Sequence, residues 1–256
     1  MYRARVIPTL LLSERGLVKT RKFKDPVYIG DPINAVRIFN EKEVDELVVL
    51  DINASREDRE PDYEIISEIA SECFMPVAYG GGIRTLEQIR KLLRAGVEKV
   101  VINSALAEST KILTEASKIF GSQAIMAGLD VRRGLLTGYK VAVKSASIEL
   151  KYSVVDYARN LEEAGAGEIL LNNVDRDGTM AGYDIDLLRL VSGAVKIPVV
   201  AAGGAGTVEH LGQALNDGGA AAVAAGAMFV FRGKHRAVLI GYLTEAQKKE
   251  LLIRKR

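Results

Sequence analysis

Tyr79-Gly80-Gly81-Gly82-Ile83-Arg84-Thr85 and Ala202-Gly203-Gly204-Ala205-Gly206-Thr207 decide the fold. Each follows a short apolar run, and each leads into an amphipathic stretch. Gly81 and Gly203 stand 122 positions apart, close to half of the 256-residue chain. Other blocks keep that spacing: Asp45-Glu46-Leu47 aligns with Gly167-Glu168-Ile169, Arg94-Ala95-Gly96 with Asn216-Asp217-Gly218, and Asn103-Ser104-Ala105 with Ala225-Gly226-Ala227. A twofold repeat with a glycine-rich strand end in each half predicts a barrel made of two half-barrels, built to hold a substrate with a phosphate at each end.

Outward from these segments, short apolar runs alternate with longer amphipathic ones. Residues 4–11, 46–50, 76–78, 99–102, 124–129, 168–171, 198–201 and 221–224 read as strands. Their unbroken apolar character fits a parallel sheet covered on both faces. Helices are expected over 32–44, 85–95, 151–164 and 207–216. Asp31 is a good N-cap with Pro32 at the first helical position, and Gly96 and Gly165 mark ends. Eight βα units without linkers predict an α/β fold, a (β/α)8 TIM barrel in one domain over residues 1–256. A doubly wound open sheet is the rival, and the half-chain repeat disfavours it.

The bulk numbers narrow the function. Net charge is +2, which argues against a dedicated nucleic-acid binder. The one cysteine, Cys73, excludes an intrachain disulfide, fits a reducing compartment and is expected buried and inert. No apolar run is long enough to span a membrane, no signal peptide is read at the start, and a cytoplasmic location is expected. The two histidines, His210 and His235, are read in polar helical surroundings, so a histidine metal centre or a catalytic triad is not expected. No cofactor is expected.

In such barrels the chemistry lies at the C-terminal ends of the strands. Gly80 to Gly82 with Asn103 and Ser104 are expected to form one phosphate cradle. Gly203, Gly204, Ala225 and Gly226, helped by Gly178 and Thr179, would form the other. Backbone N–H groups and the following helix starts supply the donors. A tight βα turn explains one glycine cluster as well; two at matching places are stronger evidence. Asp130 is a candidate general acid/base, with a salt bridge to Arg132 or Arg133 as the alternative. Asp51 ends another strand. Asp177 could bind a sugar hydroxyl, while Asp175 and Arg176 could be an internal pair. The repeat aligns Leu10-Leu11 with Leu129-Asp130 at an offset of 119. A two-carboxylate site would want an acid at position 11, and leucine cannot move a proton. Arg5, Glu46, Lys99 and Glu168 open strands one, two, four and six. They could meet around the barrel axis with their charges cancelling, or be ordinary solvated strand ends.

The whole chain resembles the cyclase subunit of imidazole glycerol phosphate synthase, the HisF family. The resemblance rests on Val48-Val49-Leu50-Asp51-Ile52-Asn53-Ala54-Ser55, Tyr79 to Arg84, Leu92-Leu93-Arg94-Ala95-Gly96, Ile102-Asn103-Ser104-Ala105, Phe120-Gly121-Ser122-Gln123, Gly165 to Leu171, Asp175-Arg176-Asp177-Gly178-Thr179 and Ala202 to Gly206. It implies a barrel that receives ammonia from a HisH-type glutaminase at its bottom face and acts at the top on a bis-phosphorylated ribonucleotide. By resemblance, Arg5, Glu46, Lys99 and Glu168 match an ammonia gate, and Glu98 matches an acidic residue facing the glutaminase. Lys19 and the loop after it match a mobile loop over the substrate. Gly82, Asn103 and Ser104 match one phosphate site, Gly178, Gly204, Ala225 and Gly226 the other, and Asp130 one of two catalytic aspartates.

The other aspartate is missing. The family has Cys-Leu-Asp where this chain has Thr9-Leu10-Leu11, and Gly226 replaces a hydroxyl residue. The Thr9-Leu10-Leu11-Leu12 variant is similar to a paralogous branch that helps convert an acetamido sugar to an acetamidino sugar in surface-polysaccharide synthesis. The leading expectation is therefore an ammonia-channelling barrel subunit of that branch, acting on a phosphorylated or nucleotide-linked substrate. The alternatives are a histidine-pathway cyclase in which Asp51 or Asp177 replaces the missing acid, and a non-catalytic glutaminase activator.

Overall fold

Val6, Leu10 and Leu12 lie on one face of the first strand and Ile7 on the other, and all are buried. A strand with no wet face needs cover on both sides, which a ring of helices around a closed sheet provides. The computed structural model describes residues 4–134 and 138–252. Strands β1 (Arg5–Ser13), β2 (Leu47–Asp51), β3 (Val77–Gly80), β4 (Lys99–Ile102), β5 (Ile125–Arg133), β6 (Glu168–Asn173), β7 (Val199–Ala202) and β8 (Ala222–Ala225) pair in parallel in that order. β8 then pairs with β1, Arg5 opposite Ala222, and the (β/α)8 barrel closes.

Around it run α1 (Pro32–Glu41), α2 (Tyr63–Glu72), α3 (Leu86–Arg94), α4 (Lys111–Phe120), α5 (Val154–Glu163), α6 (Ile185–Ser192), α7 (Val208–Asn216), the one-turn α8 (Ala227–Val230) and α9 (Glu245–Leu252). Their starts follow from side-chain caps. Asp31, Thr85, Ser153, Asp184 and Thr207 each accept a backbone N–H from the third residue on. Thr85 and Gln88 complete a capping box. Between sheet and helices lies the main apolar core; a smaller one fills the barrel itself, with Ile7, Val48, Ala78, Val101, Met126 and Leu170 pointing inward.

The register makes the internal repeat concrete. Thr9 opposes Val48, and Gly128 opposes Leu170, the residue 122 positions on from Val48. Leu11 opposite Leu50 and Asp130 opposite Asn172 are therefore equivalent positions.

Several local expectations need correction. The segment after β1 is an antiparallel hairpin, Gly16–Arg21 with Lys24–Gly30, and Lys19 is a buried strand residue rather than part of a loop. β5 likewise runs on into pairing with Tyr139–Val143. The first helix stops at Glu41, and the fifth starts at Val154 behind its Ser153 cap. His235 lies in the turn between Phe231–Arg232 and Ala237–Val238, outside any helix. Cys73 is partly buried behind α2; burial, with Glu72, pushes its thiol up to about 12, which keeps it protonated and unreactive at neutral pH. No helix among the described residues is long and apolar enough to cross a membrane.

Candidate active site

At the N-terminal end of the barrel, Arg5, Glu46, Lys99 and Glu168 meet. Arg5 donates to both Glu46 and Glu168. Lys99 Nζ donates to Glu46 Oε1 at 2.9 Å and to Glu168 Oε2 at 3.1 Å. Glu46 and Glu168 are 2% and 6% exposed, so the solvated-terminus alternative is overturned. Two cations and two carboxylates alternate in a closed ring, and each carboxylate has both cations as partners. Glu98 is exposed on this same end, next to Lys99.

At the opposite end a large cavity opens, lined by residues from every barrel strand or the turn after it. Lys19, Asp51, Gly82, Asn103, Ser104, Asp130, Asp177, Gly178, Gly204, Ala225 and Gly226 all border it, and so does Leu11. The glycines fit by conformation and by space. Gly82 has φ +71°, and a Cβ there would come within 2.6 Å of the Arg59 carbonyl oxygen. Gly204 has φ +118°, and a Cβ there would overlap the Gly182 carbonyl. Both glycines border the cavity and pack against neighbouring backbone where a side chain would not fit, and the Gly82 N–H donates to Ser55 Oγ at 3.2 Å.

Asp130 accepts a hydrogen bond from Asn103 Nδ2 at 2.9 Å and is in no salt bridge among the described residues; Arg132 lies 3.9 Å from Glu149 instead. Burial, and after it the charge of Asp177, push the Asp130 carboxyl up to about 7, against the opposing pull of Asn103. Burial raises Asp177 as well, countered by Lys19 and by Thr20. Lys19 is 6% exposed and donates to the Thr9 carbonyl at 2.5 Å; burial lowers its amine to about 8, while Asp177 opposes the shift. A carboxyl and an amine that both titrate near neutral pH therefore face one cavity.

The other acids are committed elsewhere. Asp51 accepts from the backbone of Asn53 and Ala54 at 2.9 Å each and from Arg59 at 3.2 Å, so its carboxylate shapes the turn after β2. Asp175 accepts from the Arg133 backbone, and Arg176 reaches the Gly182 carbonyl, so these two do not pair with each other. Sequence reasoning assigned no role to Thr9 or Asn172. Thr9 Oγ1, Asn103 Oδ1 and Asn172 Oδ1 are buried with no hydrogen-bond partner among the described residues, and all three residues line the cavity. Buried polar atoms without partners at a cavity wall mark a place for a ligand. The alternation of β1 carried the signal for Thr9, two residues from Leu11 on the same face. Among the described residues no cluster of His, Cys, Asp and Glu could hold a metal ion.

These features define a (β/α)8 barrel with an ionic ring at one end and a carboxylate-bearing, glycine-rimmed cavity at the other. The family model described as histidine biosynthesis protein matches residues 5–235. The chain is 52% identical over 242 residues to a Pseudomonas aeruginosa protein provisionally named imidazole glycerol phosphate synthase subunit hisF2, covering 94% of this chain and 96% of that one. It is 48% identical over 254 residues to a provisionally named subunit hisF3 of Vibrio vulnificus, with 98% and 97% covered. It is also 40% identical over 229 residues to the imidazole glycerol phosphate synthase subunit HisF of Alkaliphilus metalliredigens, with 90% and 91% covered. The chain belongs to the HisF family of histidine biosynthesis proteins.

Proposed function

We propose that this chain is the barrel subunit of a two-component glutamine amidotransferase of the imidazole glycerol phosphate synthase type. The names of its relatives favour this cyclase reading over sugar modification, reversing the order the sequence suggested. The observation that carries it is one cavity holding Asp130, with a carboxyl near 7, between two glycine-rich strand ends. A separate HisH-type glutaminase docks on the end that carries Glu98 and the ionic ring, and its ammonia travels along the barrel axis. The two strand ends hold the phosphates of a bis-phosphorylated ribonucleotide through backbone N–H groups. Asp130, which is both proton donor and acceptor near pH 7, transfers protons as ammonia adds and the ring closes. Asn103 orients its carboxyl. Thr9, Asn103 and Asn172 offer oxygens to the substrate or to the incoming N–H groups.

Leu11 favours a second reading. It borders the cavity at the position equivalent to Asp130, where the resemblance implies a second aspartate. An apolar side chain there supports the acetamidino-sugar branch, in which ammonia passes to a phosphorylated or nucleotide-linked sugar. A strain lacking its cyclase subunit, but retaining its glutaminase, decides between the two. Growth without histidine supports the cyclase reading, and Asp130→Asn should abolish it. Absence of growth with folded protein, together with growth for Leu11→Asp, supports the second. Growth that persists in Asp130→Asn would leave only glutaminase activation.

A further inference from the structure

Lys19 and Gly226 are far apart in sequence and in contact in space. Lys19 comes from the hairpin strand Gly16–Arg21, and Gly226 follows β8. A Cβ built on Gly226 would overlap Lys19 Nζ and lie 3.0 Å from its Cε and 3.1 Å from the Thr9 carbonyl oxygen. The ammonium thus fills the volume that any other side chain at 226 would need. The backbone does not demand glycine here, since φ is −106° and ψ −71°. What Gly226 supplies is space.

The nitrogen is deeply placed and poorly compensated. It donates to Thr9, and no carboxylate lies within 4 Å of it among the described residues. Asp177 acts on it only through space. Lys19 borders the cavity, and an anion there would relieve its unneutralised charge. Gly204 and Ala225 border the same stretch of wall.

We propose that Gly226 is the seat of the Lys19 ammonium, and that the two together form an anion site for a phosphate monoester in which a buried lysine takes the role of a hydroxyl side chain. The inference rests on reading this strand end as a phosphate site and adds what makes it bind.

The test is calorimetric titration of the full chain with inorganic phosphate, using wild type, Lys19→Met, Gly226→Ser and the double variant, each first shown to melt within a few degrees of wild type. Gly226→Ser adds a hydroxyl donor of the kind phosphate sites commonly use, yet it should weaken binding at least tenfold because it evicts the ammonium. Lys19→Met should lose a similar factor. The double variant should be no worse than either single one, because both remove the same interaction. Gly226→Ser binding phosphate as well as wild type, or additive losses, would overturn the seat while leaving the phosphate site standing. Absence of any phosphate binding by wild type would overturn both.

Sulfate, whose charge is constant across the range, supplies the second readout. Wild-type affinity should fall as pH rises through about 8, where the free amine loses its proton. In Lys19→Met the part of the fall near pH 8 should vanish, leaving only the decline from the Asp130 and Asp177 carboxyls that border the same cavity. An unchanged pH profile in that variant would count against the lysine.

Discussion

The Asp130 carboxyl is buried at the wall of the cavity, and that environment has a cost. The carboxyl is pushed from the ordinary carboxylate range up to about 7, chiefly through burial and secondarily through Asp177. Its folded form therefore holds a proton more tightly than its unfolded form. That contribution to stability is complete below about pH 4 and is lost progressively as pH rises to about 7, above which it is constant. Asp130→Asn keeps the shape and removes the charge. We expect thermal melts to show wild type losing stability between pH 4 and 7, and the variant lacking that loss. The gap above pH 7 should be at most about 4 kcal/mol. Equal pH profiles for the two proteins would contradict the shifted carboxyl. Position 11 is the counterpart. Because Leu11 occupies the matching place on β1, no second carboxylate there divides the proton with Asp130.

At the scale of elements, the barrel strands and the glycine turns were legible because their determinants are local. Continuous apolar runs mark β1 to β8, and capping residues Asp31, Thr85 and Thr207 mark helix starts. The hairpin over Gly16–Arg21 and Lys24–Gly30 was not legible, and its turn explains why. Lys22 and Phe23 have φ of 54° and 61°, a left-handed pair usually signalled by asparagine and glycine. Here tertiary contacts hold it: the Lys22 N–H donates to the Asp177 carbonyl at 2.9 Å, and Phe23 packs on the cluster of Ala142, Ala146 and Val174. Those contacts are invisible in sequence. The exposed Lys22 is strained without making use of its side chain in the core, so Lys22→Asn should stabilise the fold by roughly 0.5–1 kcal/mol, seen as a higher denaturant midpoint with an unchanged slope. Phe23→Ala should lower the midpoint. The hidden partners of Lys19 have the same origin, since nothing near residue 19 announces Gly226 or Thr9. The ring residues lay between these extremes. Their positions at strand starts were visible, whereas their meeting depended on the barrel closing.

The whole molecule divides along its axis into an ionic ring, an apolar middle and a polar mouth. Ring closure was needed to bury Glu46 and Glu168, and the ring shares its charges so that neither cation has a private partner. Glu46→Gln leaves Glu168 facing both Arg5 and Lys99. It should cost about 2–3 kcal/mol, less than a fully buried pair because the cations are partly exposed, and lower Tm by roughly 5–10 °C. In the glutaminase complex it should also impair the glutamine-driven reaction more than the reaction driven by added ammonia; equal impairment would argue against a gate. The middle layer has a further consequence. Ile7, Val48, Ala78, Val101, Met126 and Leu170 offer no hydrogen-bonding side chain, so a solute crossing it meets what amounts to a thin slice of hydrocarbon. An ion entering that slice would shed its water with nothing in exchange, while a small uncharged amine would lose far less. If ammonia crosses the barrel as proposed, this interior would partition protonated from unprotonated forms, and the supply reaching the mouth should rise with pH on the side where ammonia enters even if every residue at the mouth kept its charge unchanged.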